Sequence, residues 1–235
     1  MKITTILFDL DGTLLPMDQD LFIKSYFGSI SKYMVRHGYN PSELINAIFA
    51  GTKEMIFNDG TKTNEQAFWD KYAEIYGKEK LADEAKFEEF YINEYCKIKE
   101  VCGYNPLVLE LFKVIKEKDL RVALATNPVF PQIATKQRIE WTGLKFEDFE
   151  LVTTYENSTY SKPNLKYYTE ILNKLNVTAE ECLMVGNDVD DDMVVTKLGM
   201  HTYLLTDCLI NKQNVNVNNY EHGDILDLIN KIKTL

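Results

Sequence analysis

The feature that most constrains this chain is an apolar run broken by two acids. Ile6-Leu7-Phe8 leads directly into Asp9-Leu10-Asp11-Gly12-Thr13. Consecutive large apolar residues suit a strand buried on both faces of a parallel sheet. An ionised carboxylate within such a strand is costly unless it is paired or bound to a cation. Asp9 and Asp11 are therefore expected at the C-terminal end of the strand, with Gly12 allowing the turn that follows. In open α/β sheets that end is where ligands bind.

From Thr13 to about residue 100 the pattern is helical. Asp18 or Asp20 can cap a helix running to about Arg36, with Leu21, Tyr26, Ile30 and Tyr33 among its apolar positions and Gly38 as its stop. Asn40-Pro41-Ser42-Glu43 offers an N-cap, a proline at the first helical position and a glutamate at the third. Leu44, Ile45, Ile48 and Phe49 follow on one side. Thr63 with Gln66 repeats the capping-box pattern ahead of Phe68, Trp69, Tyr72, Ile75 and Tyr76, and a fourth helix is expected from about Ala82 to Ile98. No strand signal interrupts this stretch.

Alternation then begins. Pro106 opens a helix carrying Leu107, Leu111, Val114 and Ile115, and Leu120 to Ala125 is a compact apolar strand ending in Thr126-Asn127-Pro128. A helix over residues 131 to 142, a short strand from Glu150 to Thr154 and the loop Ser161-Lys162-Pro163 follow. Leu165, Tyr168, Ile171, Leu172 and Leu175 recur at helical spacing. Cys182 to Val185 is a further strand running into Gly186-Asn187-Asp188; Tyr203 to Leu205 suits a fifth, and Ile225, Leu228, Ile229 and Ile232 mark a terminal helix. Such alternation predicts an α/β fold, a doubly wound Rossmann-like parallel sheet with an inserted all-helical subdomain. The expected domains are a discontinuous core of residues 1–14 and 100–235 and a helical insert of residues 15–99.

Composition sets outer bounds. A formal charge of −10 across 235 residues argues against an extended nucleic-acid or anionic-membrane surface. A phosphorylated substrate stays compatible, because a metal ion and one lysine can reverse the local field. Met1-Lys2 runs straight into the first strand, leaving no apolar segment for a signal peptide or membrane span, so a cytoplasmic location is expected. Cys96, Cys102, Cys182 and Cys208 lack zinc-site spacing and read as reduced thiols. His37, His201 and His222 are scattered.

Every candidate group follows an expected strand: Asp9 and Asp11 the first, Thr126 and Asn127 the second, Lys162 in the loop after the third, Asp188 the fourth. In a parallel sheet these ends converge on one edge. Read singly, each has an ordinary explanation: a strand-end hydroxyl, a turn before proline, a solvated lysine, a helix start rich in carboxylates. Yet Asp188, Asp190, Asp191 and Asp192 repel one another, and a nearby cation would relieve them.

In order along the chain, these residues resemble the four motifs of the haloacid dehalogenase-like hydrolase superfamily, whose members are mostly magnesium-dependent phosphatases. The resemblance spans the whole expected core. It implies Asp9 as the nucleophile forming an aspartyl-phosphate and Asp11 as general acid and base. It further implies Mg2+ held by Asp9, the backbone carbonyl of Asp11 and Asp188. Thr126 and the Asn127 amide would bind the phosphoryl oxygens and Lys162 would offset charge on phosphate and Asp9. Asp192 would orient Lys162 or a metal-bound water, with Asp190 and Asp191 as weaker candidates. The implied substrate is a small phosphomonoester, such as a nucleotide or sugar phosphate. The second aspartate, Asp11, disfavours the dehalogenases that named the superfamily. A phosphomutase, a phosphonate hydrolase and a catalytically silent phosphate-binding regulator are the alternatives. Tyr26, Phe27, Phe49, Phe57, Phe68 and Trp69 are candidates for substrate contact, although aromatic residues at helical spacing ordinarily pack against a neighbouring helix.

Overall fold

The computed structural model describes residues 2–235. Six strands form one parallel sheet: β1 (Thr5–Phe8), β2 (Arg121–Leu124), β3 (Leu151–Val152), β4 (Cys182–Gly186), β5 (His201–Leu205) and β6 (His222–Gly223). Their order is β3-β2-β1-β4-β5-β6, every pair parallel, with Leu7 aligned between Ala123 and Met184. The sheet is therefore doubly wound, and its order reverses direction between β1 and β4. Crevices that bind ligands open at that reversal.

The side chains of the central strands alternate between two apolar layers. Ile6, Phe8, Val122, Leu124, Leu183 and Val185 face one cluster, shared with α5 (Leu107–Glu117), α6 (Gln132–Trp141) and α8 (Ile225–Lys233). Leu7, Ala123, Cys182 and Met184 face another, built on α7 (Leu165–Leu175) and the 3-10 turn Met193–Leu198. With Ile6, Leu7 and Phe8 fully buried, each contributes about 1.5–3 kcal/mol relative to exposure. β6 escapes the sequence reading because two residues present no periodicity. It docks through Leu204 and Leu205 on β5.

Between β1 and α5 the chain is helical: α1 (Gln19–Val35), α2 (Pro41–Ile56), α3 (Asn64–Tyr76) and α4 (Glu84–Asn93). Asp18, Asn40 and Thr63 cap the first three, the last in a reciprocal capping box with Gln66. The expected helix over Ala82–Ile98 is instead 3-10 turn, α4 and a second 3-10 turn, Tyr95–Val101. Leu21 proves exposed; Phe22, Tyr26, Ile30 and Met34 form the buried stripe of α1. Phe57 is also exposed, at 73% of its surface. The buried aromatics of these helices, among them Tyr26, Tyr72, Phe90 and Tyr95, join the same apolar cluster as one face of the sheet.

Polar ties reinforce that join. Asn64, fully buried at the start of α3, shares its amide protons among the carbonyls of Pro128 and Tyr160 and the Ser161 hydroxyl, 3.1–3.3 Å away. Its own amide oxygen accepts from Asn58 at 2.8 Å. The Ser161 hydroxyl in turn donates to the Met55 carbonyl. Asn64 thus tethers α3 to both the loop after β2 and the loop leading to Lys162. Among the described residues no helix is long and apolar enough to cross a membrane, and all four cysteines are free thiols.

Candidate active site

Asp9 leaves β1 at the sheet reversal, its backbone N–H still bonded to the Val185 carbonyl of the neighbouring strand. Its carboxylate is divided between two partners. Oδ1 accepts from Lys162 Nζ at 2.8 Å and Oδ2 accepts from the Thr13 hydroxyl at 3.0 Å. Lys162 also reaches Asp192 Oδ1 at 2.6 Å, and both lysine and Asp192 are almost completely buried. Burial alone would lower the ammonium pKa, but Asp192 and Asp9 override it and hold Lys162 well above its ordinary value. The lysine is therefore charged across the physiological range. Burial, with Asp9 adding to it, pushes the Asp192 carboxyl up, and Lys162 opposes both.

The loop after β4 is shaped by close approach. Asp192 Oδ2 accepts from the Asp188 N–H at 3.0 Å, directly against Gly186, where any Cβ would collide with that carboxylate. Asp188 turns one oxygen back to accept from the N–H groups of Asp190 and Asp191. Residues 188–192 are thus a carboxylate-wrapped turn, and a 3-10 helix starts only at Met193. Asp190 points away to Gln213. Asp191 lies inward; burial raises its carboxyl to about 6, with Asp188 and Asp9 contributing and Lys162 opposing.

Asn187 closes the first motif from the other side. Its Oδ1 lies 3.0 Å from the Thr13 hydroxyl, whose single proton it shares with Asp9 Oδ2, and its Nδ2 donates to the Cys208 carbonyl. Gly12 sits beneath it at φ +87°, and a Cβ there would strike the Asn187 amide. That positive φ and the missing side chain explain the glycine twice over. After β2, the Thr126 carbonyl accepts from Thr153 at 2.7 Å and Tyr167 at 2.8 Å. The Thr126 hydroxyl has no protein partner among the described residues.

The structure brings Asp9, Lys162 and Asp192 into direct contact and joins Asp188 to that group through Asp192. It pairs Asp11 elsewhere. Asp11 forms an ion pair with Arg138 of α6, which is 1% exposed. Burial raises the Asp11 carboxyl, Arg138 lowers it and Asp9 raises it again. The guanidinium packs beside two rings, 4.5 Å from the Phe130 centroid and 6.0 Å from that of Phe22 on α1. Asp11 Oδ1 and Asn127 Oδ1 are buried without a partner.

Arg138 and Asn187 were missed in the sequence. Arg138 occupies an interior position of α6, where one arginine among Lys136, Gln137 and Glu140 reads as a solvated helix face. Asn187 was legible only as part of the Gly-Asn-Asp turn, with no signal that its amide would brace Thr13.

The profile of the haloacid dehalogenase-like hydrolases matches residues 3–194. The chain belongs to this hydrolase family. A Bacillus cereus relative, Pyrophosphatase PpaX, is 28% identical over 200 residues, covering 81% of this chain and 77% of its own. Among solved structures, a HAD phosphatase from Thermococcus onnurineus matches with a TM-score of 0.59 at 17% identity, covering 99% of this chain and 98% of that one. The Bacillus subtilis HAD-hydrolase YfnB, solved bound to magnesium, matches with a TM-score of 0.57 at 16% identity over the full length of both chains. These structures share the fold expected from the sequence, and the PpaX relative falls within the phosphatase class it implied.

Proposed function

We propose that the protein is a Mg2+-dependent phosphatase that hydrolyses a small phosphomonoester through an aspartyl-phosphate on Asp9. The observation that carries this reading is the Asp9 carboxylate at the sheet reversal, held by Lys162 on one oxygen and Thr13 on the other. Both contacts fix the carboxylate without covering it completely, since its side chain keeps 10% exposure. Phosphate-ester hydrolysis is among the slowest uncatalysed reactions, and a carboxylate nucleophile divides it into two easier steps.

In the first step an Asp9 oxygen attacks phosphorus while the leaving alcohol takes a proton from Asp11. In the second, Asp11 removes a proton from water as it attacks the phosphoryl group on Asp9. Lys162 neutralises charge gathered on Asp9 and the phosphoryl oxygens, and Asp192 keeps the ammonium pointed there. The Thr126 hydroxyl and the Asn127 N–H offer donors to the same oxygens. Asp9, the Asp11 carbonyl and Asp188 form a hard, all-oxygen donor set that suits Mg2+. No three His, Cys, Asp or Glu side chains form an all-side-chain cage among the described residues; Mg2+ needs only one or two carboxylates, completing its shell with water and phosphate. Bound there, it would screen the approach of a dianion to Asp9. The α1–α4 layer, with residues 15–99 as its bounds, serves as a cap over the sheet edge, and residues 1–14 and 100–235, of which residue 1 lies outside the described residues, form the core. We place the enzyme in the cytoplasm, acting on a dissolved metabolite.

The test is turnover of p-nitrophenyl phosphate with and without Mg2+, comparing wild type with Asp9→Asn, and acid-quench trapping of phosphorylated protein. Metal-dependent turnover abolished by the substitution, with label on wild type alone, is the expected result. Equal residual rates in the two proteins would remove Asp9 as nucleophile.

A further inference from the structure

Between the α1–α4 layer and the loops after β2 and β3 lies a chamber of about 640 Å³, the size of a small-molecule site. Its walls are aromatic, with Tyr26, Phe68, Trp69, Phe87, Phe130 and Tyr155 among them. Four carboxylates, Glu65, Glu84, Glu88 and Glu156, share the lining with a single ammonium, Lys136. None of the five belongs to an ion pair among the described residues. One oxygen of Glu156 accepts from the Gln132 N–H, and the other is buried without a partner. Burial raises Glu65, with Glu156 and Glu84 adding to it, and burial with Glu88 raises Glu84. The chamber thus sets four carboxylates, those of Glu84 and Glu88 on exposed residues, against one ammonium, beside aromatic rings of the kind that favour a cation.

The chamber shares a loop with the catalytic group, none of whose own residues lines it. The loop that supplies Thr126 and Asn127 continues as Val129, Phe130 and Pro131 in the chamber wall. Phe130 lies against the guanidinium that holds Asp11. The inner wall is therefore one ring and one arginine removed from the group assigned to protonate the leaving alcohol.

We propose that this chamber receives the leaving group, and that the substrate is the phosphomonoester of an alcohol bearing an organic ammonium group on an apolar body. This rests on the phosphatase reading above. A second phosphate or a carboxylate on the leaving group would face four glutamates against one lysine and be disfavoured. A neutral apolar body would fit the walls and leave the carboxylates unsatisfied. An ammonium satisfies both, by charge pairing and by contact with the aromatic faces.

Two isosteric esters isolate the charge, 4-(trimethylammoniomethyl)benzyl phosphate and the neutral 4-neopentylbenzyl phosphate, and a smaller anionic ester, 4-(carboxymethyl)benzyl phosphate, reverses it. The expected kcat/KM order is cation, neutral, anion, the first step being about tenfold or more. In a Glu65→Gln/Glu156→Gln variant the cation-to-neutral ratio, measured within one protein, should fall toward one. A cationic ester no better than its isostere in an otherwise active wild type overturns the proposal and leaves the phosphatase reading standing. If wild type does not turn over p-nitrophenyl phosphate at all, the phosphatase reading fails by itself. The chamber is then judged by calorimetric titration of the two free alcohols, where equal affinity for 4-(trimethylammoniomethyl)benzyl alcohol and 4-neopentylbenzyl alcohol would overturn it.

Discussion

Replacing Arg138 by methionine should separate substrates by how much their leaving groups need a proton. The arginine is 1% exposed and its ion-pair partner, Asp11, retains 21%. Removing one member of a buried pair costs about 3–5 kcal/mol, and the partial exposure of Asp11 places this case near the lower end, about 3 kcal/mol. For a chain of this length that corresponds to a melting temperature lower by about 6–12 °C. The catalytic effect should be selective. With Arg138 gone, Asp11 loses the contact that fixes its carboxyl, and general acid catalysis is worth about 10²–10⁴ in rate. An alkyl phosphate, whose alkoxide leaves poorly, should lose about a hundredfold in kcat. p-Nitrophenyl phosphate, which departs as a stabilised phenolate, should change by less than about threefold on the same principle. Steady-state rates on both esters at 15 °C, below the shifted melting transition, provide the assay. Arg138→Lys, which keeps the charge, should fall between. Equal proportional losses on both esters would refute a role through Asp11 and leave Arg138 as a support for packing alone.

Two further outcomes follow from the same geometry. The ordinary carboxyl value of Asp191 is 3.8 and burial raises it to about 6, so the folded chain holds this proton more tightly than the unfolded one. The associated stability is present below pH 4 and is lost as pH rises through 6; Asp191→Asn should flatten that decline and, in chelator at pH 7, stabilise the protein by up to about 3 kcal/mol, as denaturant titration would show. A variant with an unchanged pH slope would count against the inward placement of Asp191. Asn64→Ala removes the tether from α3 to Pro128 and Ser161 and should cost about 2–4 kcal/mol. It should also speed amide exchange in residues 126–131 and 158–163, and unchanged exchange there would deny the tether.

The parts of the fold that were legible are those governed by short-range rules. Asp18, Asn40 and Thr63 cap helices because a side-chain oxygen meets an amide two or three residues later, which spacing reveals. β1 and β4 announce themselves by the uninterrupted apolar runs of residues 6–8 and 182–185. The break near Asp83 was hidden because the apolar spacing from Ala82 to Ile98 continues through it. Asp9 and Lys162 group from the sequence because a parallel sheet delivers strand ends to one edge. Arg138 could not, since its role depends on which way α6 faces after crossing the sheet. The same holds for Asn64: the acceptors of its amide protons lie 64 to 97 residues away in sequence, and nothing near it distinguishes a tether from a helix start.

The placement of β1 has a dynamic consequence. A fully buried strand with hydrogen-bonded neighbours on both sides exposes its amides only when the whole domain opens. The nucleophile is the next residue along. Slow exchange at Ile6, Leu7 and Phe8 would therefore report the global unfolding free energy, and Asp9 would share that protection for as long as the sheet persists. Helices and loops around it can breathe, admit a ligand and release a product, while the attacking atom moves only as much as the most durable segment of the chain allows.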